Sequence, residues 1–403
     1  MIYGMNKKAI AILGAIFLLI IGTLGFLIYS KYSGSDTPPV AVTPTPTPTP
    51  SPEPTPEPNP TPEPNPISTT TPTAGISTIV KLTDEQVVSP VLFFNGLGIT
   101  YFDNKGNLFQ ASLQEYNGQL LLSGKKQLGI PVKAGINKIL WPPKGNDFIA
   151  QIKNSAGLPA GQPATTTWSY FSSSSGTYTD LPSQVESLDW MPVGDNIMYI
   201  WLENGKAALS LGGPDTKNYQ TMAEMWETDD QIYVSPSGEQ LLYYETNSAS
   251  TTNPIYSVTT DGKLWKTLVG TGQNLGVLWS PDSQKFLFGK KDQGTQKYQL
   301  WVYNLTSGEV KNLGLFSTVE KTVWDKDSNI IYASVPNSGA VAENSLTVDS
   351  LFRMDTATLE KKQYTPGGNM PVDGRDLFLN SAGDKLFFRN AQDGGLYYLD
   401  LAQ

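Results

Sequence analysis

The chain has 403 residues with 37 glycines, 30 prolines and 11% aromatic side chains, a composition that suits strands and turns better than helices. It contains no cysteine and no histidine, which excludes disulfides, thiolate zinc sites, iron–sulfur ligation, Ser-His-Asp hydrolysis and imidazole-based zinc chemistry. Its formal net charge of −9 repels phosphate backbones, so no nucleic-acid partner is expected.

Residues 1–8 form a short N-terminal segment, expected to be cytoplasmic, that ends in Lys7 and Lys8. AIAILGAIFLLIIGTLGFLIY, residues 9–29, follows without a single charge. As a helix it rises about 31 Å, enough to cross a hydrocarbon core. Only Lys31 follows closely, so the positive-inside rule places the N-terminus in the cytoplasm and the rest of the chain outside. The competing reading is a cleaved signal peptide, whose apolar region is normally shorter and ends in an Ala-x-Ala site. No such site follows here, although Ser33-Gly34-Ser35 offers small residues.

Residues 30–75 are expected to be an extended linker, built around TPTPTPTPSPEPTPEPNPTPEPNP. Alternating proline fixes φ and removes backbone donors, so neither helix nor sheet forms and polyproline II is expected. At ~3.1 Å per residue, the stretch from 37 to 75 reaches at most ~120 Å. It is a semi-rigid spacer.

Beyond residue 76 a motif recurs: FNGLG at 94, WPPKG at 141, WMPVG at 190, VSPSG at 234, WSPDS at 279, WDKDS at 324 and LNSAG at 379. Seven copies spaced by roughly 47 residues, each long enough for four strands, predict a seven-bladed β-propeller. The first column is large and apolar, and the third is Pro143, Pro192, Pro236 or Pro281 in four copies. The fifth is Gly98, Gly145, Gly194, Gly238 or Gly383, with Ser283 and Ser328 in the other two. This is β-turn chemistry, so the reactive-looking Asp282 and Ser283 are turn residues. Apolar runs such as Phe286-Leu287-Phe288, Leu241-Leu242-Tyr243 and Leu386-Phe387-Phe388 then read as strands buried on both faces. A third strand carries apolar–aromatic pairs such as Leu300-Trp301 and Leu396-Tyr397, and an outer strand such as EVKNLG (309–314) completes the blade.

The last copy ends at Gln403, where its outer strand should begin. TIVKLT, residues 78–83, looks like an outer strand and lies just past the proline-rich stretch. It is expected to complete blade seven and close the ring, which removes exposed sheet edges.

The aligned pattern W-S-P-D-G, apolar strand, (I/L)-(Y/W)-x-x-(D/N), then K-x-L-T resembles the WD40-like repeats called PD40, found in TolB-type propellers. The resemblance covers residues 76–403 and is closest in the copies at 234 and 279. It implies an exported propeller engaged in protein–protein contact. The separate N-terminal α/β domain of that family has no counterpart here.

In such a ring, connections from strand two to three, and from strand four to the next blade, emerge on one face. The long ones are 153–167, 245–254 and 334–350, whereas turns on the opposite face are short apart from looser connections in blades one and three. Long loops carry binding or tolerate insertion. The ligand-binding candidates are Trp226, an exposed hot spot if it sits at the mouth, the acids Asp229, Asp230 and Asp373, and Arg375, a partner for an anion. Acids gathered in these loops offer oxygens of the kind Ca²⁺ takes, but no ligand loop is complete, so no cofactor is expected, with Ca²⁺ as the alternative, and neither a catalytic set nor a metal set is assigned.

The functional expectation is a single-pass, monomeric cell-membrane protein whose extracytoplasmic propeller binds a protein or a cell-envelope polymer through its long-loop face. The alternative is a carboxylate-based glycosidase or lyase on the same scaffold. A head with no specific ligand, acting only as a surface component, is a third reading.

Overall fold

The computed structural model describes residues 76–403 apart from 94–95, 155–164, 226–229, 246–252, 271–273, 293, 296, 340–344, 367–369 and 403. The span expected over 9–29 and the linker expected over 30–75 lie outside the described residues. Among the described residues no helix is long and apolar enough to cross a membrane.

The described residues form seven sheets with strands in chain order from the inner edge outward, except that the outermost strands of the last two come from the start of the head. Blade one holds β3 (Val87–Phe93), β4 (Gly98–Asp103), β5 (Leu108–Tyr116) and β6 (Gln119–Gln127). Blades two to five repeat the pattern through β7–β10 (136–180), β11–β14 (185–225), β15–β18 (230–269) and β19–β22 (274–312). Blade six is β23–β26 (322–366), and blade seven is β27 (Gly374–Leu379), β28 (Lys385–Asn390) and β29 (Leu396–Asp400).

Ring closure follows the expected route. The outer strand of blade seven is β2 (Ile79–Lys81), antiparallel to β29 with Val80 opposite Tyr398. The Leu82 N–H donates to the Leu396 carbonyl and extends the pairing by one step. An unexpected strand precedes it: β1 (Ile76–Ser77) adds in parallel to β26 as a fifth strand of blade six. The segment entering the head therefore crosses from the outer edge of one blade to that of the next.

Among the described residues there is no single central core. Seven apolar clusters each straddle one seam between neighbouring blades. The cluster of Val87, Ile99 and Tyr101 with Phe387, Leu396 and Tyr398 joins blade one to blade seven. Phe286, Leu287 and Phe288 are at most 1% exposed, as a strand covered on both faces must be.

A recurring hydrogen bond accompanies this packing. The indole Nε1–H of Trp190 donates to the Leu140 carbonyl at 2.9 Å, that of Trp279 to Tyr233 at 2.9 Å and that of Trp324 to Leu278 at 3.3 Å. Each acceptor lies on the inner strand of the preceding blade. Trp141 follows suit with Ser89 at 3.0 Å; Ser89 sits at a bulge with φ 47°.

Blade four has Val234 in the tryptophan column, and its seam is stitched differently. Asp189 of blade three accepts the Trp190 N–H through Oδ1 and the Val234 N–H through Oδ2, both at 2.9 Å. Burial pushes the Asp189 carboxyl up to about 6, against the opposing pull of these two N–H groups.

The recurring turn is structural, as its residue types imply. In the copy at 279, the Ser280 hydroxyl bonds the Asp282 carboxylate at 2.6 Å, and Asp282 accepts the Gln284 N–H. The fifth column takes left-handed φ in six copies, including Ser283 and Ser328 at 60°. Those two serines offset the strain by accepting the backbone N–H of Ser237 and Asp282, respectively, in the preceding turn. In the copy at 94, positive φ falls on Gly96 and β4 already begins at Gly98, so the turn is shorter than the repeat alignment implies.

Blade one also departs from the expected loose connection. Its outer hairpin has two nine-residue strands joined by Asn117-Gly118, both at positive φ, the geometry of a tight two-residue turn. Leu113, Leu120 and Leu122 pack against the blade seven seam, and the Leu120 N–H donates to the Tyr398 hydroxyl at 2.9 Å. The hairpin is a strap across the closing blade.

Two outcomes follow. Trp279→Phe keeps the ring but strands the Tyr233 carbonyl, so urea denaturation should find stability lowered by about 1–3 kcal/mol. Because the folded Asp189 binds its proton more tightly than an unfolded aspartate, its contribution to stability is greatest at low pH. It is lost as pH rises through about 6. Asp189→Asn should flatten the stability profile across that window, measured by urea midpoints between about pH 4 and 7.

Candidate functional site

Strand alternation brings the connections between strands two and three, and between consecutive blades, to one face. The longest stretches of sequence between consecutive strands, Asn154 to Thr165, Glu245 to Ile255 and Pro336 to Asp349, fall between strands two and three of blades two, four and six. Trp226 and Asp229 fall outside the described residues. Asp230 opens β15 opposite Glu245, in blade four. Asp373 and Arg375 belong to blade seven, and the structure brings these two together.

Asp373 is not at an open mouth. It is 0% exposed and lies in a buried ionic network at the seam of blades six and seven. A 3-10 turn, Val319–Lys321, leads into blade six and turns the Lys321 side chain inward. Its Nζ donates to Asp373 Oδ1 at 2.6 Å, to Asp349 Oδ2 at 2.7 Å and to the Thr347 hydroxyl at 2.7 Å. Arg375 reaches the same Asp373 from above, Nε to Oδ1 at 3.2 Å and a terminal nitrogen to Oδ2 at 3.3 Å. That nitrogen also donates to the Ser345 carbonyl at 3.0 Å. Two cations face two carboxylates, and the set is neutral.

The backbone supports this arrangement on every side. The Thr347 N–H donates to Asp373 Oδ2 at 3.1 Å, and the Ser334 hydroxyl donates to Asp349 Oδ2 at 2.7 Å. Asn390 accepts the Asp373 N–H, and Gln392 donates to the Thr347 carbonyl at 2.7 Å. Burial pushes the Asp373 carboxyl upward, but the bonds from Arg375, Lys321 and the Thr347 N–H outweigh it and hold it below the usual range. Asp349 Oδ1 is buried without a hydrogen-bond partner.

A base or nucleophile needs a free lone pair within reach of a substrate. Asp373 has neither free oxygen nor exposure, and Lys321 spends all three donors. The network therefore holds structure. It fastens the end of the long blade-six connection to the start of blade seven.

Among the described residues the remaining loop acids are held apart. Glu85 accepts the Tyr101 hydroxyl and the Lys125 ammonium, while Asp84 is exposed near Lys81 at 3.5 Å. Among the described residues no three carboxylates are grouped as a metal site. The residues missed in the sequence are Lys321, Thr347 and Asp349. Their one signal is the alternation Leu346-Thr347-Val348-Asp349, which puts Thr347 and Asp349 on the inner side and the two apolar residues outside.

No protein-family model matches the chain, and no curated protein is significantly similar. Solved structures do match. The chain is similar to an oligogalacturonate lyase from Vibrio parahaemolyticus, at 10% identity and a TM-score of 0.53, over 80% of this chain and 93% of that one. An oligogalacturonate lyase in complex with manganese matches at 10% identity and a TM-score of 0.51, over 81% and 90%. TolB from Acinetobacter baumannii matches at 15% identity and a TM-score of 0.42, over 75% and 78%. At 10% identity the likeness to the two lyases is one of fold alone.

Removing one partner of a buried pair leaves an uncompensated charge. Lys321→Met is expected to destabilise the head by roughly 3–5 kcal/mol, read from urea unfolding at neutral pH. The lowered Asp373 adds stability above the pH where an unfolded aspartate titrates, and that part is lost as pH falls through its lower folded value.

Proposed function

We propose that this chain is a single-pass cell-membrane protein in which residues 9–29 span the bilayer with the N-terminus in the cytoplasm. Residues 30–75 are the spacer, and the propeller over 76–403 is an extracytoplasmic head of PD40 type. The head acts as a binding module for a protein or a cell-envelope polymer, and its long-loop face is the binding surface.

The observation that carries this reading is the asymmetry between the two faces. Strands two and three are separated by up to twelve residues, as between Pro336 and Asp349, while the turns between strands one and two, such as 280–284 and 325–329, hold five. Loops on a rigid scaffold are where recognition is usually built. The closed ring is that scaffold.

The carboxylate-enzyme alternative finds less support, because Asp373 is buried and neutralised and Glu85 is held by Lys125 and Tyr101.

The reading is tested in the full chain by replacing 155–164, 246–252 and 340–344 with short Asn-Gly turns. The variant should keep its thermal midpoint within a few degrees, because the strands that build the seams are left untouched. It should stay in the membrane fraction and lose its surface partner in crosslinking from the long-loop face. Full retention of that partner would sink the proposal, as would recovery of the unaltered chain in the soluble fraction.

A further inference from the structure

The ionic network at the blade six–seven seam raises a physical question. Burying Lys321, Asp349 and Asp373, with Arg375 half-buried above them, carries a large desolvation cost, and apolar residues of similar volume often stabilise as well or better. What the network does that apolar packing would not is hold one stretch of backbone, residues 345–349, in a single conformation.

The bonds account for that stretch almost atom by atom. Arg375 takes the Ser345 carbonyl, Asp373 the Thr347 N–H, and Gln392 the Thr347 carbonyl. The Asn337 N–H takes the Val348 carbonyl, and the Asp349 N–H donates to Val372. The Thr347 side chain is 8% exposed and held by Lys321. With these groups turned inward, Leu346 and Val348 are turned out, 59% and 52% exposed. Both stand on the long-loop face.

We infer that Leu346 and Val348 are a preorganised apolar contact for a protein partner whose surface offers a shallow apolar pocket rimmed by Lys and Arg. This rests on the binding-module reading above and names the partner's chemistry. A fixed backbone removes the ordering cost that a free loop would bring to binding. The charge selects the occupant. Residues 1–75 hold three lysines and four acids, so the head has 28 − 3 = 25 basic and 37 − 4 = 33 acidic residues, a net −8. A second copy carries the same −8 and is repelled, as is an anionic lipid surface, whereas a basic rim is attracted.

The test places a photoreactive benzoylphenylalanine at position 346 or 348 of the full chain and irradiates native cells. The same probe at Lys105 samples another loop of the same face, and at Val193, 82% exposed in a turn between strands one and two, the opposite face. Positions 346 and 348 should each yield one discrete protein adduct that Val193 does not. That protein, purified, should bind the chain with an affinity lowered ~10-fold by Leu346→Asp with Val348→Asp, surface changes that leave the seams intact. Its binding should also weaken several-fold between about 50 and 300 mM salt.

An adduct with a second copy or with lipid overturns the inference, as does a captured protein indifferent to both the substitutions and salt. An adduct from Lys105 without one from 346 or 348 overturns it while leaving the long-loop reading intact. Adducts from none of the three long-loop positions, or from Val193 alone, overturn both.

Discussion

A sheet that is apolar on both faces has no stable life alone, and every blade of this protein is such a sheet. Phe286, Phe288, Leu386 and Phe388 are buried to within 1% because a neighbouring blade lies on each side. That requirement can be met for all blades at once only if the array closes, so that the first blade becomes the neighbour of the last. The cluster joining Val87, Ile99 and Tyr101 to Phe387 and Tyr398 meets it. The tryptophan bonds of blades two, three, five and six to the preceding inner strand then fix how far those blades are advanced against the one before.

Closure also explains the positions of the less regular parts. β2 supplies blade seven with its missing edge, and the long hairpin of blade one leans its leucines across the same seam. Blade six receives β1 as a fifth strand just before the chain crosses. The seam of blades six and seven thus lies beside the point where the chain enters the head, and it is there that Lys321, Asp349, Asp373 and Arg375 meet. The network acts on the long-loop face by fixing a backbone. Chemistry on a substrate is closed to Asp373 by its burial and its two cationic partners.

Much of the fold was legible because its determinants are local. Turn residues recur at fixed offsets, proline presets φ, and a left-handed position admits glycine or a serine with a partner. Copies of one turn therefore betray the repeat even where Val234 or Leu379 replaces tryptophan. The candidate site was legible only in part. Asp373 and Arg375 stood out as loop residues of the right chemistry, but an acid on a loop reads the same whether it faces solvent or a buried ammonium. Lys321, 52 residues away in sequence, carries no mark of that partnership.

What the sequence by itself determined is the architecture: seven blades, their turns and the route by which the ring closes. These depend on backbone preferences and on an apolar pattern that repeats along the chain. Tertiary structure alone decided which charges are neutralised, that Asp189 stands in for a missing indole, and that Leu346 and Val348 project from a clamped backbone. Each depends on groups brought together across a seam, and pairwise distance through space is not written in the local pattern of either strand.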